Sequence, residues 1–416
     1  MSLKKLKVTN FKSFNKAEMQ FGSFNVVIGA NAAGKSNFIQ IFQFIKEVIS
    51  SGLDNAISMQ GGINYLRNMN IGASKDFSVT AVFDQEMSWT GKVNNKLEKI
   101  KMHELIYEFA LNFKQKSIDY AISKDRLHLR CEFFKVTKTR IGTYNDEKLG
   151  DGEIIISSRQ GKINVIMHKP AHSHLDADHI FASFLREEQL PPHTLLAETS
   201  FFSAPLIRET FNGVSIYNIN PRLPKAAIPI TGKAMLEEDA GNLAIILKKI
   251  LKNSETRRKF FNLLAELLPF VDNLDIEERP DKSLFFKVKE KYFSSQFLPA
   301  FLLSDGTINA TALIITLYFE KQPITIIEEP ERNVHPYLMS RLVNMMKDAS
   351  SAKQIIITTH NPEVIKYATL EDVILIARDK NGFSSITRPH NRKEIRAFIK
   401  NEIGLEELFV QNLLEG

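Results

Sequence analysis

Eight consecutive residues near the start of the chain have the composition of a phosphate-binding loop. They match the pattern G-x-x-x-x-G-K-[ST] at every fixed position: Gly29-Ala30-Asn31-Ala32-Ala33-Gly34-Lys35-Ser36. In such a loop, backbone N–H groups and a helix N-terminus surround the oxygens of a polyphosphate. We therefore expect Lys35 to contact the β- and γ-phosphates of a nucleotide and the Ser36 hydroxyl to bind Mg²⁺. The predicted nucleotide-binding segment runs on to Asn37.

The elements on either side of this loop are the ones that the pattern requires. An apolar run, Phe24-Asn25-Val26-Val27-Ile28, precedes it and predicts a buried strand. A helix is predicted over residues 36–50, because apolar residues recur at three- and four-residue spacing. These residues are Phe38, Ile41, Phe42, Ile45, Val48 and Ile49. The helix would present its N-terminus to the phosphates.

Two carboxylates end a second apolar run far downstream, Ile324-Thr325-Ile326-Ile327-Glu328-Glu329. This is the arrangement of a Walker B strand. Glu328 would hold Mg²⁺ through water, because this hard ion keeps several of its waters. Glu329 would polarise the attacking water as general base. A strand that merely ends in solvated carboxylates is the alternative interpretation.

A third apolar run ends in a histidine, in Gln354-Ile355-Ile356-Ile357-Thr358-Thr359-His360. Sheets of α/β proteins bind their ligands at the carboxyl ends of the strands. We therefore expect His360 to contact the γ-phosphate or to orient the attacking water. The catalytic set predicted from these motifs is Glu329, His360 and Lys35.

Three other segments resemble motifs of one ATPase class. Leu303-Ser304-Asp305-Gly306-Thr307 resembles the LSGGQ-like signature of ABC-type ATPases, and Glu331-Arg332-Asn333-Val334-His335-Pro336 resembles the D-loop of small predicted bacterial ATPases. Val8-Thr9-Asn10-Phe11-Lys12-Ser13-Phe14 resembles the opening strand of RecF and SMC heads. As an ordered set, the motifs resemble those of RecF/SMC-type ABC ATPases. More narrowly, they resemble the AAA-like group of bacterial defence and repair systems, including the ATPase subunits of OLD-, PtuA- and AbiL-type systems.

This resemblance implies a fold, two ligands and an assembly. The fold is an α/β ABC-type head: a P-loop core with a parallel sheet, an antiparallel β subdomain and a compact, mainly helical insertion without a long coiled coil. ATP and Mg²⁺ are the implied ligands, with Lys12 at the nucleotide. In a head-to-tail dimer, Ser304 and Gly306 of one subunit would cap the ATP held by Lys35 of the other. Two departures are Glu328, where most relatives have aspartate, and a signature with Asp305 and Thr307.

The chain divides by pattern into three predicted lobes: residues 1–169 with the phosphate loop, a helical insertion at 170–270, and residues 271–416 with the signature, the Walker B strand and a C-terminal tail. Two strands are expected within residues 3–28. Alternating runs predict an antiparallel meander at Phe77–Phe83, Leu105–Phe113, Leu127–Val136, Glu153–Ser157 and Ile163–His168. The tail is expected to contain an amphipathic helix over Ile403–Val410.

Composition permits several partners. The 416 residues carry a net charge of +6 and a pI near 9.0, which is compatible with nucleic-acid binding. Basic clusters occur at Lys135/Lys138/Arg140, Lys248/Lys249/Lys252 and Arg257/Arg258/Lys259, and each could equally be a solvated surface. A single cysteine, Cys131, excludes an internal disulfide and fits a cytoplasmic protein. No apolar run is long enough to span a membrane.

Some polar residues leave their roles open. The segment from His168 to His179 is dense in histidine and aspartate, and an exposed loop is a simpler interpretation than a metal site. Gln85 and Gln160 are the candidates for the glutamine that faces Mg²⁺ in ABC proteins, and a hairpin turn explains Gln160 equally well.

The leading functional hypothesis is a dimeric ATP-driven switch or sensor in bacterial anti-phage defence, with a separate nuclease or toxin as effector. The alternative is a RecF-type repair factor that binds DNA directly. A transporter ATPase is a third class, and the opening strand and D-loop region speak against it.

Overall fold

A computed structural model describes residues 1–94, 96–114, 119–138, 144–180, 189–199, 204–293, 295–391, 393, 395, 403–411 and 413–414. The strands, in chain order, are β1 (Ser2–Phe11), β2 (Phe14–Gln20), β3 (Phe24–Ile28), β4 (Phe77–Val93), β5 (Lys96–Phe113), β6 (Tyr120–Lys138), β7 (Tyr144–Arg159), β8 (Lys162–His168), β9 (Val214–Tyr217), β10 (Ile228–Pro229), β11 (Val271–Glu278), β12 (Ser283–Glu290), β13 (Phe297–Pro299), β14 (Ile324–Glu328), β15 (Gln354–Thr359), β16 (Val373–Arg378) and β17 (Ser384–Thr387).

The α-helices follow the same order. They are α1 (Lys35–Ser51), α2 (Leu53–Met59), α3 (Ile63–Leu66), α4 (Ala177–Ile180), α5 (Ala204–Asn212), α6 (Leu243–Lys252), α7 (Ser254–Leu267), α8 (Asp305–Tyr318), α9 (Met339–Ala349), α10 (Pro362–Lys366) and α11 (Leu405–Val410). None of the helices among these described residues is long and apolar enough to cross a membrane.

The chain forms two compact units. The first contains Met1–Phe21, Ala32–Gly213 and Ala377–Ile386, and the second contains Gly22–Asn31, Val214–Ile376 and Thr387–Gly416. The three-lobe boundaries at 169/170 and 270/271 stay a prediction. Within the predicted helical insertion, the structure has α5, α6 and α7 and also the short strands β9 and β10.

The first unit is built on an antiparallel sheet. Its strand order is β8-β7-β6-β5-β4-β1-β2-β17, and all neighbours are antiparallel except β2 and β17. β4 alternates buried and half-buried residues along its first nine positions, because one face packs on the core. Phe44 of α1 lies edge-on to Phe77 of β4 with ring centroids 5.5 Å apart, so the helix after the phosphate loop is anchored to this sheet.

The second unit surrounds a parallel sheet with the order β16-β3-β15-β14-β9. The strands β3, β14 and β15 are buried almost throughout, as expected for a parallel sheet covered on both faces. Helix α8 is buried from Thr307 to Leu317. A small antiparallel sheet of β10, β12, β11 and β13 belongs to the same unit. The predicted α/β class, with a parallel core and an antiparallel β meander, is confirmed.

The N-terminal prediction was wrong in one respect: residues 3–28 contain three strands, not two. β1 and β2 are joined by a two-residue turn, with Phe11 paired to Phe14. Lys12, the first of the two turn residues, has a left-handed φ of 46°. Neither turn residue is glycine or proline, so the strongest turn signals are missing from the pattern. The C-terminal helix begins at Leu405, two residues after the predicted start.

A buried carboxyl group in the first unit gives the fold a pH dependence. Asp125 of β6 accepts hydrogen bonds from the Tyr107 hydroxyl at 3.0 Å and the Leu196 N–H at 2.7 Å. Burial nevertheless raises the pKa of Asp125 to about 7. The unfolded chain loses this proton near pH 4, whereas the folded chain keeps it until about pH 7. The free energy of unfolding therefore falls as the pH rises through this window, by about 4 kcal/mol at most.

We expect Asp125→Asn to remove this dependence, because the amide has nearly the same shape and does not ionise. Urea unfolding of both proteins at pH 5 and pH 8 measures the effect. The parent should lose stability relative to the variant at pH 8. The prediction would be contradicted if the free energies of unfolding of the two proteins differed by the same amount at pH 5 and at pH 8.

Candidate active site

The phosphate loop leaves the end of β3 and enters α1 at Lys35. Gly34 precedes the helix with φ 121°, and its carbonyl accepts the first helical hydrogen bond from Phe38 N–H at 2.9 Å. Ala32 has a left-handed φ of 63°. A left-handed residue within such a loop turns successive N–H groups toward one concave side, which is an anion-binding geometry.

Lys12 and Asn37, both predicted at the nucleotide, line one cavity of about 300 Å³ in the first unit. Tyr65, Arg67 and Arg378 also line it. The pKa of Lys12 is lowered by burial, against the opposing charge of Glu47. A cavity with several cations suits a phosphorylated ligand.

The parallel strands of the second unit end at one edge. Ile28 of β3 is paired with Thr359 of β15, and Thr358 is paired with Glu328 of β14. The residues that follow β3, β14 and β15 are therefore Gly29, Glu329 and His360. All three lie at the carboxyl edge of the sheet. This is the position at which α/β sheets bind ligands.

Glu329 is held by the side chains of His360 and Arg332. One carboxylate oxygen lies 2.8 Å from His360 Nδ1, and the other accepts from Arg332 Nη2 at 2.6 Å. Because a carboxylate only accepts, His360 donates from Nδ1 and its Nε2 is directed elsewhere. Burial raises the pKa of Glu329, but Arg332 and His360 outweigh it and the pKa is lowered. Glu329 is thus ionised, as a general base must be.

Glu328 has the opposite electrostatic environment. Burial, and then the charge of Glu329, raise the pKa of Glu328. A divalent cation would offset both effects, and a carboxylate oxygen is the type of ligand that Mg²⁺ prefers. The residues present therefore fit a magnesium ion at Glu328.

Hydrogen bonds connect the loop after β14 to the end of β15. The buried Glu331 accepts a hydrogen bond from the Thr359 hydroxyl, and the same hydroxyl accepts from Asn361 N–H at 2.9 Å. Glu329 itself adopts a left-handed φ of 42° and donates its N–H to Thr358 O at 2.9 Å. These bonds fix the backbone on either side of the general-base candidate.

The signature segment begins α8 and packs against this same loop. Ser304 is the N-cap, and its hydroxyl accepts from Thr307 N–H at 3.1 Å. A Cβ at Gly306 would lie 2.4 Å from Asn333 O, so only glycine fits there. Asn309 donates to Pro330 O at 3.1 Å and Arg332 O at 2.6 Å. The start of α8 and the loop after β14 therefore form one packed structure.

The histidine-rich segment and the candidate glutamines make local contacts in the first unit. His174 Nδ1 lies 2.8 Å from the buried Glu98, and His179 Nδ1 accepts from Asp176 N–H. The described residues contain no group of three or more histidine, cysteine, aspartate or glutamate side chains that could hold a metal.

Gln85 is buried and accepts from Thr210, and Gln160 lies in the β7–β8 turn with φ 51°. Arg140 of the first basic cluster lies outside the described residues.

Several site residues carried no signal in the sequence. Arg332 follows Glu329 by three positions in a loop, where no periodicity predicts that they meet. Asn309 lies inside an apolar helix, and only its polarity in a buried position marks it. Nothing in the sequence indicates that Thr359 is the partner of Glu331.

The chain matches a protein family and is similar in fold to several solved structures. The profile of the family described as "AAA domain, putative AbiEii toxin, Type IV TA system" matches residues 24–366. The fold is similar to the Smc head bound to the C-terminal winged-helix domain of ScpA, with a TM-score of 0.47 and 16% identity over 93% of this chain and 97% of that chain. The SMC head of Thermotoga maritima gives a TM-score of 0.43 and 16% identity, over 93% of this chain and 99% of that one.

A third similar structure is the Smc head of Pyrococcus furiosus, with an extended coiled coil and the C-terminal domain of ScpA. Its TM-score is 0.46 at 13% identity, over 96% of this chain and 99% of that chain. A comparison with curated proteins gives no match. The predicted resemblance to an AAA-like group is confirmed by the family match.

Proposed function

We propose that this chain, which belongs to the AAA-domain family described as "putative AbiEii toxin, Type IV TA system", binds ATP with Mg²⁺ and hydrolyses it to ADP and phosphate. The observation that carries the proposal is the shared carboxyl edge of β3, β14 and β15. The phosphate loop begins there. Glu328 is the last residue of β14, Glu329 follows β14, and His360 follows β15.

Each residue has a distinct part in the proposed reaction. Lys35 and the loop N–H groups bind the phosphates, and Ser36 and Glu328 are the residues that would hold Mg²⁺. When bound, this ion neutralises charge on the phosphate oxygens. Glu329 takes the proton from the attacking water, and His360 fixes the Glu329 carboxylate through Nδ1. Positioning and charge stabilisation supply most of the catalysis in phosphoryl transfer.

Phosphate release from ATP by the purified chain tests this proposal. We expect turnover that depends on Mg²⁺ and disappears when the metal is chelated. An absence of release above the rate of buffer alone, in a chain that unfolds cooperatively, would contradict ATP hydrolysis.

We further propose that two copies pair in the ATP-bound state and act as a switch. The support comes from Ser304 and Gly306 at the N-terminus of α8. Only glycine fits at position 306, and neither residue has a catalytic role within one subunit. The family's description names a toxin of a toxin–antitoxin system, which favours a role in bacterial defence, including defence against phage. A separate nuclease or toxin chain in the cytoplasm is the proposed effector.

Ser304→Arg is expected to prevent this pairing. The longer cation would fill the space that the ATP of a second subunit needs, and the N-cap of α8 would be lost. Light scattering with a non-hydrolysable ATP analogue should show a dimer for the parent and a monomer for the variant. Ser351→Arg, an exposed serine near the end of α9, is the matched control and should still pair. Identical masses for all three proteins would count against the role of the signature.

Direct DNA binding remains the second candidate, favoured by the net charge of +6. Many cations of the first sheet lie beside carboxylates, which reduces the charge available to phosphates. Examples are Lys5 and Lys7 with Glu18, Arg130 with Glu104, and Lys124 with Glu108. DNA binding by the isolated chain that weakens steeply between 50 and 200 mM salt, as expected for about six or more phosphate contacts, would favour this candidate.

A further inference from the structure

Two side chains from the C-terminal part of the first unit donate to carbonyl oxygens of the phosphate loop. The Ser384 hydroxyl donates to Ala33 O at 2.6 Å, and Arg378 Nη1 donates to Ala32 O at 3.3 Å. Ser384 is 3% exposed, so its hydroxyl cannot reach a nucleotide itself. Two successive carbonyls of the loop are therefore held, one by the buried Ser384 and the other by the exposed Arg378.

The planar peptide bond gives these contacts a consequence. The carbonyl of Ala33 and the N–H of Gly34 belong to one rigid plane and point in opposite directions. When Ser384 holds the carbonyl, the Gly34 N–H must therefore point away from Ser384. The contact of Arg378 with Ala32 O directs the Ala33 N–H in the same way.

The surrounding contacts restrict Ser384 to one arrangement. Its backbone N–H donates to Ser13 O at 2.8 Å, and its hydroxyl lies 2.7 Å from Ser13 Oγ. Asn37 Nδ2 donates to the same Ser13 oxygen at 2.8 Å. A Cβ at Gly34 would lie 2.5 Å from Ser384 Oγ. The glycine of the loop pattern is thus required by Ser384 as well as by its own φ angle of 121°.

We infer that Ser384 is a positioning residue of the phosphate loop: it fixes the Ala33–Gly34 peptide so that its N–H faces the nucleotide phosphates. The inference rests on the proposed ATP function. It adds to that function a residue of β17, Ser384, which acts on ATP through the backbone of the loop.

Ser384→Ala tests the inference, with Ser385→Ala as the matched control. Ser385 is the next residue of the same strand and is exposed. Loss of the hydroxyl should weaken binding of a non-hydrolysable ATP analogue by about 10-fold, or about 1.4 kcal/mol. Because these loop contacts are made in the ground state as well as the transition state, KM for ATP should rise about 10-fold while kcat changes by less than about threefold. The control should bind as the parent does.

The unfolding midpoint without nucleotide separates positioning from general damage. We expect Ser384→Ala and Ser385→Ala to unfold at similar urea concentrations, although only the first binds weakly. Binding by Ser384→Ala that equals binding by Ser385→Ala would overturn the inference. So would a fall in kcat with an unchanged KM.

Two further variants complete the test: a replacement for Ser384→Ala and a reference for the ATP function. Should Ser384→Ala fail to unfold cooperatively, Ser384→Cys replaces it, because a thiol has nearly the same size and is a weak donor. Binding about threefold weaker than in the control would support the inference, and equal binding would overturn it. Lys35→Ala is the reference for the ATP function. A parent that binds no better than Lys35→Ala would overturn the ATP proposal and this inference together, whereas tight binding by both the parent and Ser384→Ala would overturn only the inference.

Discussion

Replacing Glu329 with glutamine is expected to slow ATP hydrolysis by about 10²–10⁴-fold while ATP still binds. An amide cannot take a proton from water at neutral pH. The structure adds a second reason, because Glu329 accepts from both His360 and Arg332. The amide nitrogen of glutamine is a donor, so one of these two donors would lose its acceptor.

Steady-state phosphate release measures the loss, and titration with ATP measures the retained binding. Glu371→Gln makes the same chemical change at an exposed position and should turn over at the parental rate. If Glu329→Gln hydrolyses ATP as fast as Glu371→Gln does, another group is the base.

Lys35→Ala is expected to weaken ATP binding by at least about 100-fold, or about 2.7 kcal/mol. The ammonium group makes charge-assisted hydrogen bonds to phosphate oxygens, and alanine leaves those oxygens without a cation. Alanine is the best helix former, so α1 itself should be unaffected by the change at its first residue.

Isothermal titration with a non-hydrolysable ATP analogue checks this prediction. Lys46→Ala, on the same helix, is the matched control and should bind as the parent does. Equal affinities for the two variants would show that Lys35 does not bind the phosphates.

The elements around the site could be predicted because each has a strong local pattern. The continuous apolar runs at β3, β14 and β15 predicted buried strands, and the three- and four-residue spacing from Phe38 to Ile49 predicted α1. The alternation in β4 to β8 predicted the meander, although β4 to β7 extend well beyond the apolar runs. The outer end of β4 alternates between exposed and half-buried residues, which weakens the periodic signal.

The contacts inside the site could not be predicted, because they join residues distant in sequence. Ser384 and Ala33 are 351 positions apart, and no property of either residue indicates the other. Arg332 and Glu329 are close in sequence, but their contact depends on a left-handed backbone at Glu329. Side-chain partners of this kind depend on the packed strands, whereas strands and helices follow from local periodicity.

The strand meander of the first unit bears on the proposed pairing of two copies. In the described part of the chain, β4 to β8 and helices such as α5, α6 and α7 occupy the interval between the phosphate loop and β14. The proposed pairing of two separate copies is a second-order encounter, so the paired fraction would rise with the number of copies in the cell. A switch built in this way would respond to its own abundance as well as to ATP, so a change in expression alone could set its threshold.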